Sequence, residues 1–517
     1  MAGAPVFKAR ERDTLAALAG AVQAAHSGQR SRGHEMSRDV RSIPDRLLIG
    51  GAWREAADGA RFPVHEPATG AVLAAVADSG VDEALAALAA AHAAQPAWAA
   101  AAPRRRSDVL RAAFELMHAR IDPLAELIVR ENGKPIAEAR GEVIYAAEFL
   151  RWFSEEAVRL DGRLATAPAG ANRIVTLYQP IGVALLVTPW NFPAAMVTRK
   201  IGPALAAGCA VVVKPATETP LTALAVAAIL AEAGAPPGVV NVVPTTRNAE
   251  LVAALLRDAR LRKLSFTGST EVGRLLLAQA AERVLKCSME LGGNAAFIVF
   301  ADADLDAAIE GALIAKLRHN GEACTAANRF YVEAPVAAEF ADRLSAAMAG
   351  LKMGNGLDPE VRLGPLVDAA TRAKVARLVD AAVAAGARVR TGGTLPSGAG
   401  FFYPATVLDR VAPGSPILAE EIFGPVAPIV AFSGHDEVVR WANATEHGLV
   451  SYVYTRDLAR GLRVAEALES GMVGLNRGVV SDPAAPFGGM KQSGIGREGG
   501  HEGLLEFTET KYIAVAW

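Results

Sequence analysis

The sequence predicts an α/β protein organised around parallel sheets, and three observations carry that prediction. Apolar runs of strand length alternate with stretches of helical periodicity from about residue 183 to residue 480. Such alternation implies βαβ units and a parallel sheet. The chain has 517 residues, too many for one core, and the length prior suggests about three domains. Its composition, 51% hydrophobic and 21% charged, is that of a packed globular protein.

The elements follow in order. "LLIGGAWREA" reads as a short hairpin around Gly50 and Gly51. Residues 82–94, 104–120 and 121–130 carry apolar side chains at helical spacing. "VALLVT" (183–188), "AVVVK" (210–214), "VVNVV" (239–243) and "KLSF" (263–266) are the first strands. They bracket helical segments at 222–233 and 248–258. A second α/β series begins at "AAFIVF" (295–300) and includes helices near 304–316 and 337–349.

Bulk properties narrow the function classes. Net charge is -2 with no long single-sign run, so neither nucleic acid nor an anionic membrane is an expected partner. The longest strongly apolar run, 201–213, is far short of the ~20 residues that span a bilayer. Cys209, Cys287 and Cys324 lack metal-ligand spacing, and three is an odd number for a disulfide framework. A reducing compartment, the cytoplasm, is expected. The first forty-odd residues read as a flexible tail, or as following an upstream start codon with the functional start at Met36. Their basic stretch is broken by Glu11 and Asp13, unlike a secretory signal.

On parallel sheets ligands bind at the carboxyl ends of strands, so residues directly after each run are the candidates. "GIGREG" (494–499) matches a dinucleotide expression, but no strand precedes it and no βαβ unit fits in what remains. "FTGSTEVG" (266–273) is the better candidate: a strand ends at Gly268, Ser269 and Thr270, and a helix N-terminus there suits a pyrophosphate. Ser and Thr also cap ordinary helices. "TPWNFP" ends a strand with Asn191, "KPATETP" begins at Lys214, and "MELGGN" places Glu290 before two glycines. "NGEACTAANRF" sets Cys324 after an Asn-Gly turn. Taken alone, Cys324 reads as a small buried hydrophobe or as a nucleophile. With Asn191 as an oxyanion donor and Glu290 to activate water, the group makes a coherent site. His319 is close in sequence, but no protease-like signature surrounds it.

These motifs, followed by "EEIFGPVAPI" and "PFGGMKQSGIGREGG", stand in an order that resembles the NAD(P)-dependent aldehyde dehydrogenase superfamily from about Leu47 to Trp517. The resemblance implies a Rossmann-like cofactor domain over 45–160 and 181–291 and a catalytic domain over 292–504. It also implies a small β-arm for oligomerisation over 161–180 and 505–517, with 1–44 an N-terminal extension. Cys324 would attack the aldehyde, Asn191 and the Cys324 N–H would hold the oxyanion, and Glu290 would activate water on the thioester. Lys214 and Thr217 would meet the adenosine ribose, and Gly268, Ser269 and Gly273 the pyrophosphate turn. Thr188, Pro189, Trp190, Leu291, Glu421 and Phe423 complete the implied cofactor contacts. A homo-oligomer, dimer or tetramer, is implied.

The closest branch by resemblance is succinate-semialdehyde dehydrogenase. Arg199, Arg318 and Ser481 would then bind the distal carboxylate of a small aldehyde, with Phe487 beside them; most arginines are instead surface charges or structural ion pairs. Another ω-carboxy or aliphatic aldehyde is the alternative. Glu290 counts against a CoA-acylating enzyme, and the retention of Cys324, Asn191 and Glu290 against a silent binding protein. Thr217 stands where NAD-preferring members often carry Glu, so use of both NADP and NAD is expected. Position 322 is Glu where Gln is frequent, and its side chain is expected to point away from the thiol. Ala326 excludes a disulfide partner for Cys324 at that position.

Overall fold

The computed structural model describes residues 44–516; the extension expected over 1–44 lies outside the described residues except for Pro44. The hairpin at the start is present, with Leu47–Ile49 antiparallel to Ala52–Arg54. It forms one edge of an eight-stranded sheet. The centre of that sheet is five parallel strands: Val240–Val242, Ala210–Lys214, Val183–Val187, Leu261–Thr267 and Lys286–Glu290. Val183–Val187 and Ala210–Lys214 are buried at every position, which explains apolar runs without alternation.

A seven-stranded sheet follows, in the order Arg388–Thr391, Thr406–Asp409, Val426–Phe432, Ala327–Glu333, Ala295–Val299, Val450–Tyr454, Met472–Leu475, parallel except at its first pair. Arg163–Thr166, Arg173–Pro180 and Thr508–Val515 make a third, antiparallel sheet, formed from the two segments in which the resemblance implies an arm. The segment expected as a dinucleotide look-alike is a two-residue edge strand, Gly494–Ile495, pairing with Met289 and Glu290. It ties the C-terminal part of the chain to the first sheet.

Two local readings needed revision. The helix expected over 82–94 runs from Val81 to Ala100 with Pro96 inside it. A proline inside a helix costs about 3 kcal/mol, but the last turn is anchored by Trp98, buried and donating from Nε1 to Leu205 O at 3.1 Å. The helix Ile136–Glu156 was not anticipated, and its Glu138 and Glu142 accept from His319 N and Ala194 N. Among the described residues no helix is long and apolar enough to cross a membrane.

Candidate active site

Strand ends bring the motifs together. Val183–Val187 leads into Thr188–Asn191, Leu261–Thr267 into Gly268 and Ser269, and Lys286–Glu290 into Leu291 and Gly292. A cavity of about 240 Å³ opens there, lined by Pro189, Trp190, Asn191, Gly268, Ser269, Leu291, Cys324, Glu421 and Phe423, with Thr371 and Lys374 also facing it. Nine of the residues singled out in the sequence thus share one cavity.

Cys324 is carried by a short helical turn, Arg318–Gly321, whose backbone is left-handed at three successive residues: His319 (φ 51), Asn320 (φ 55) and Gly321 (φ 83). Left-handed backbone is costly for a side chain with a Cβ, so neighbours must hold it. Glu138 accepts the His319 N–H at 2.5 Å. Asn320 is pinned by both ends of its amide, accepting from Gly364 N at 2.7 Å and donating to Pro365 O at 2.8 Å. A Cβ on Gly321 would stand 2.3 Å from Gly424 O, and one on Gly293 2.5 Å from Cys324 O. Only glycine admits the cysteine loop so close to the "GG" turn.

Asn191 is equally constrained. Its Nδ2 donates to Glu322 O at 3.0 Å, and Lys134 donates to its own carbonyl at 2.9 Å. Lys134 is completely buried and paired with Glu142. Glu142 also accepts from Ala194 N at 2.9 Å and Ala195 N at 3.3 Å, at the start of helix Ala195–Ala207, where a carboxylate is favoured. Among the described residues Asn191 Oδ1 has no hydrogen-bond partner, so the amide is positioned through its donor side.

The reactive groups are desolvated. Burial pushes the Cys324 thiol up to about 12, with Arg199 opposing and Glu421 and Glu290 adding to the rise. Glu290, at the end of its strand, is held well above the ordinary carboxyl value by burial and by the Glu498 charge. The Glu322 side chain turns away from the thiol, as expected. Its Oε1 accepts from Val367 N at 3.0 Å and its Oε2 lies 3.8 Å from His319 Nε2. His319 is enclosed by the rings of Trp190 and Phe192, and burial drives its pKa well below the ordinary value.

The two arginines differ in their partners. Arg199 is already paired. Its Nε lies 2.6 Å from Glu498 Oε2, an ion pair by distance though poorly aligned as a hydrogen bond. Glu498 also takes Lys200 Nζ at 2.5 Å. A guanidinium 2% exposed needs such compensation; burial works against its charge, and Glu498 together with Tyr145, Cys324 and Glu290 outweighs that, leaving the pKa raised. Phe487 covers it, ring centroid 4.2 Å from Cζ. Arg318, in contrast, donates to Ser481 Oγ at 3.2 Å and packs on Phe192. Among the described residues no carboxylate lies within ion-pair distance of it.

A pyridine nucleotide fits the remaining residues. Ser269 caps helix Thr270–Ala281 at the cavity mouth. Glu421 accepts from Gly293 N at 3.1 Å, and burial raises it to about 7. Lys214 is buried, lowered to about 8 by desolvation, and among the described residues has no carboxylate within ion-pair distance. It is a cation without an anion. Thr217 lies in a neighbouring cavity of about 390 Å³ with Glu218. Gly273 packs its backbone against Leu291.

The cavity where the strand ends meet is lined by Cys324 and Asn191, and Glu290 ends a strand of the first sheet. The aldehyde dehydrogenase family profile matches residues 53–513, and the chain belongs to that family. It is an NAD(P)-dependent oxidoreductase acting on aldehydes. It is similar to the succinate-semialdehyde dehydrogenase of Paenarthrobacter nicotinovorans, 55% identical over 86% of this chain and 99% of that protein. It is also similar to the Escherichia coli succinate-semialdehyde dehydrogenase [NADP(+)], 48% identical over 92% of this chain and 99% of that one. The crystal structure of succinate-semialdehyde dehydrogenase from Burkholderia pseudomallei superposes with a TM-score of 0.91 at 48% identity, covering 94% and 100%.

The residues that sequence reasoning missed are Lys134, Glu142, Lys200 and Glu498. The available signal was charge inside apolar stretches: each is buried, and buried charges are paired or functional.

Proposed function

We propose that the protein oxidises succinate semialdehyde to succinate. The observation that carries this reading is the Arg318–Ser481 pair beside Cys324, a guanidinium with no carboxylate of its own. Arg suits bidentate carboxylates, and the Arg199 charge adds to the field although it is already matched by Glu498.

Cys324 Sγ, its proton having passed to water, attacks the aldehyde carbon; the C–S bond forms as the carbonyl π bond breaks, and the developing oxyanion is met by Asn191 Nδ2 and the Cys324 N–H. A nicotinamide held at Trp190, Glu421 and Phe423 would supply the hydride acceptor for this carbon. What remains on the protein is a thioester at Cys324. Glu290, in its deprotonated form, takes a proton from the water that hydrolyses it, and the thiol is restored. Phe487 and the rings around Arg318 exclude bulk water.

Both NADP and NAD serve as cofactor in this reading. Thr217 removes a carboxylate that would repel a 2′-phosphate, and the uncommitted Lys214 supplies a partner for one. Glu218 acts on Lys214 electrostatically but stands beyond ion-pair distance. The first sheet carries the cofactor and the second the nucleophile. The arm, with Leu164, Tyr512 and Ile513 exposed, serves homo-oligomer assembly, which light scattering in solution tests.

NAD(P)H formation with succinate semialdehyde, glutarate semialdehyde and butanal tests the substrate. A parent enzyme as efficient with butanal as with either acid aldehyde overturns the reading.

A further inference from the structure

The helix Ile136–Glu156 presents one stripe to the site. Glu138, Glu142, Tyr145 and Phe149 recur at intervals of four, three and four, one face of a helix. Three have evident tasks: Glu138 holds the His319 N–H, Glu142 holds Lys134 and the next helix, and Phe149 packs toward Arg199. Tyr145 has none that its hydroxyl explains.

Its ring is edge-on to Phe149, centroids 4.9 Å apart at 68°. The Arg318 guanidinium lies over it, Cζ 5.7 Å from the centroid. On the other side it is close enough to Arg199 to interact electrostatically. The hydroxyl oxygen is buried and, among the described residues, has no hydrogen-bond partner. A buried hydroxyl without a partner is costly, and the ring that carries it is near both arginines.

A carboxylate brings about four acceptor positions. Arg318 covers part of them. Ser481 accepts from Arg318 and so keeps its own O–H to donate. Arg199 is engaged by Glu498. We propose that Tyr145 is a specificity-determining residue whose hydroxyl donates a third hydrogen bond to the distal carboxylate of the substrate, alongside Arg318 and Ser481. This rests on the ω-carboxy aldehyde reading above.

Tyr145→Phe keeps the ring and removes only the hydroxyl. The measurements are kcat and KM for succinate semialdehyde and butanal, the inhibition constant of succinate, and the thermal midpoint, in the parent and the variant. The expected result is a fall of about ten-fold in the kcat/KM ratio of succinate semialdehyde to butanal, since a hydrogen bond to a charged group is lost. It should be carried by KM, with the succinate constant rising in step. The thermal midpoint should not fall, because the hydroxyl has no partner in the resting protein. An unchanged ratio, an equal loss for both aldehydes, a fall in kcat alone, or a destabilised variant overturns the proposal. A parent that discriminates while the variant discriminates equally removes only the role of Tyr145. A parent that does not discriminate removes the substrate reading and this inference together.

Discussion

Replacing Arg318 by Ala and Arg199 by Ala should give two different phenotypes, although both residues are arginines beside Cys324. Among the described residues Arg318 has a single hydrogen bond, 3.2 Å to Ser481, and no ion pair. Its removal breaks no buried ion pair, and the buried Glu138, which it favours electrostatically, keeps Lys134 and the His319 N–H. What it costs is a charge-assisted contact to substrate, about 1.5–3 kcal/mol, or roughly ten- to a hundred-fold in kcat/KM. That loss should fall on succinate semialdehyde and not on butanal, which has no carboxylate. Arg199 is a partner of the buried Glu498, and breaking a buried pair by removing one side costs about 3–5 kcal/mol. Lys200 remains on Glu498 at 2.5 Å, so the lower end of that range applies. Arg199→Ala should therefore lower the unfolding free energy and impair both aldehydes. Denaturant unfolding together with steady-state kinetics on the two aldehydes separates the cases. An Arg318→Ala enzyme that loses both aldehydes equally, or an Arg199→Ala enzyme that is fully stable and loses only the acid, would refute the reasoning.

Cys324→Ala should abolish aldehyde oxidation and retain reduced-cofactor binding, read by fluorescence; residual turnover near the parent value would exclude the thiol as nucleophile. Glu290→Gln should give a burst of reduced cofactor and then stall, with an acyl adduct on Cys324 by mass spectrometry. Because Glu290 is held well above the ordinary carboxyl value by burial and by Glu498, and acts as a base only when deprotonated, thioester hydrolysis should rise with pH through that raised pKa. Glu498→Gln removes the like charge and lets Arg199 and Lys200 act on Glu290, both lowering its pKa, so the rising limb should move to lower pH; movement to higher pH would contradict the assignment. Thr217→Glu should shift kcat/KM from NADP toward NAD, and a parent with strict NAD preference that the substitution leaves unaltered would show that Thr217 does not face the ribose.

The strands near 183–188, 210–214, 239–243, 263–266 and 295–300 were legible because their signals are local. Uniformly apolar runs such as Ala210–Lys214 and Ala295–Val299 are buried at every position, and Asn-Gly at 320–321 marks the left-handed turn that presents Cys324. Local sequence also placed Asn191, Glu290 and Ser269 at strand ends, where a parallel sheet binds ligands. What it did not contain is which charges meet. Lys200 and Glu498 are 298 positions apart, and Arg318 and Ser481 are 163 apart. Nothing in either segment alone distinguishes the guanidinium that is already paired from the one left open. The helix Ile136–Glu156 was missed for a related reason. Its inner face mixes Glu138, Glu142 and Tyr145 with apolar residues, which blurs the amphipathic pattern, and those polar residues are buried only because the site is built against them. The sequence by itself determined the strands, the turn and the reactive residue types, since these depend on neighbours along the chain. Tertiary structure alone decided that Glu498 matches Arg199, that Arg318 stays uncommitted and that the Tyr145 hydroxyl has no partner, because desolvation and pairing depend on what the docking of distant segments brings within a few ångströms.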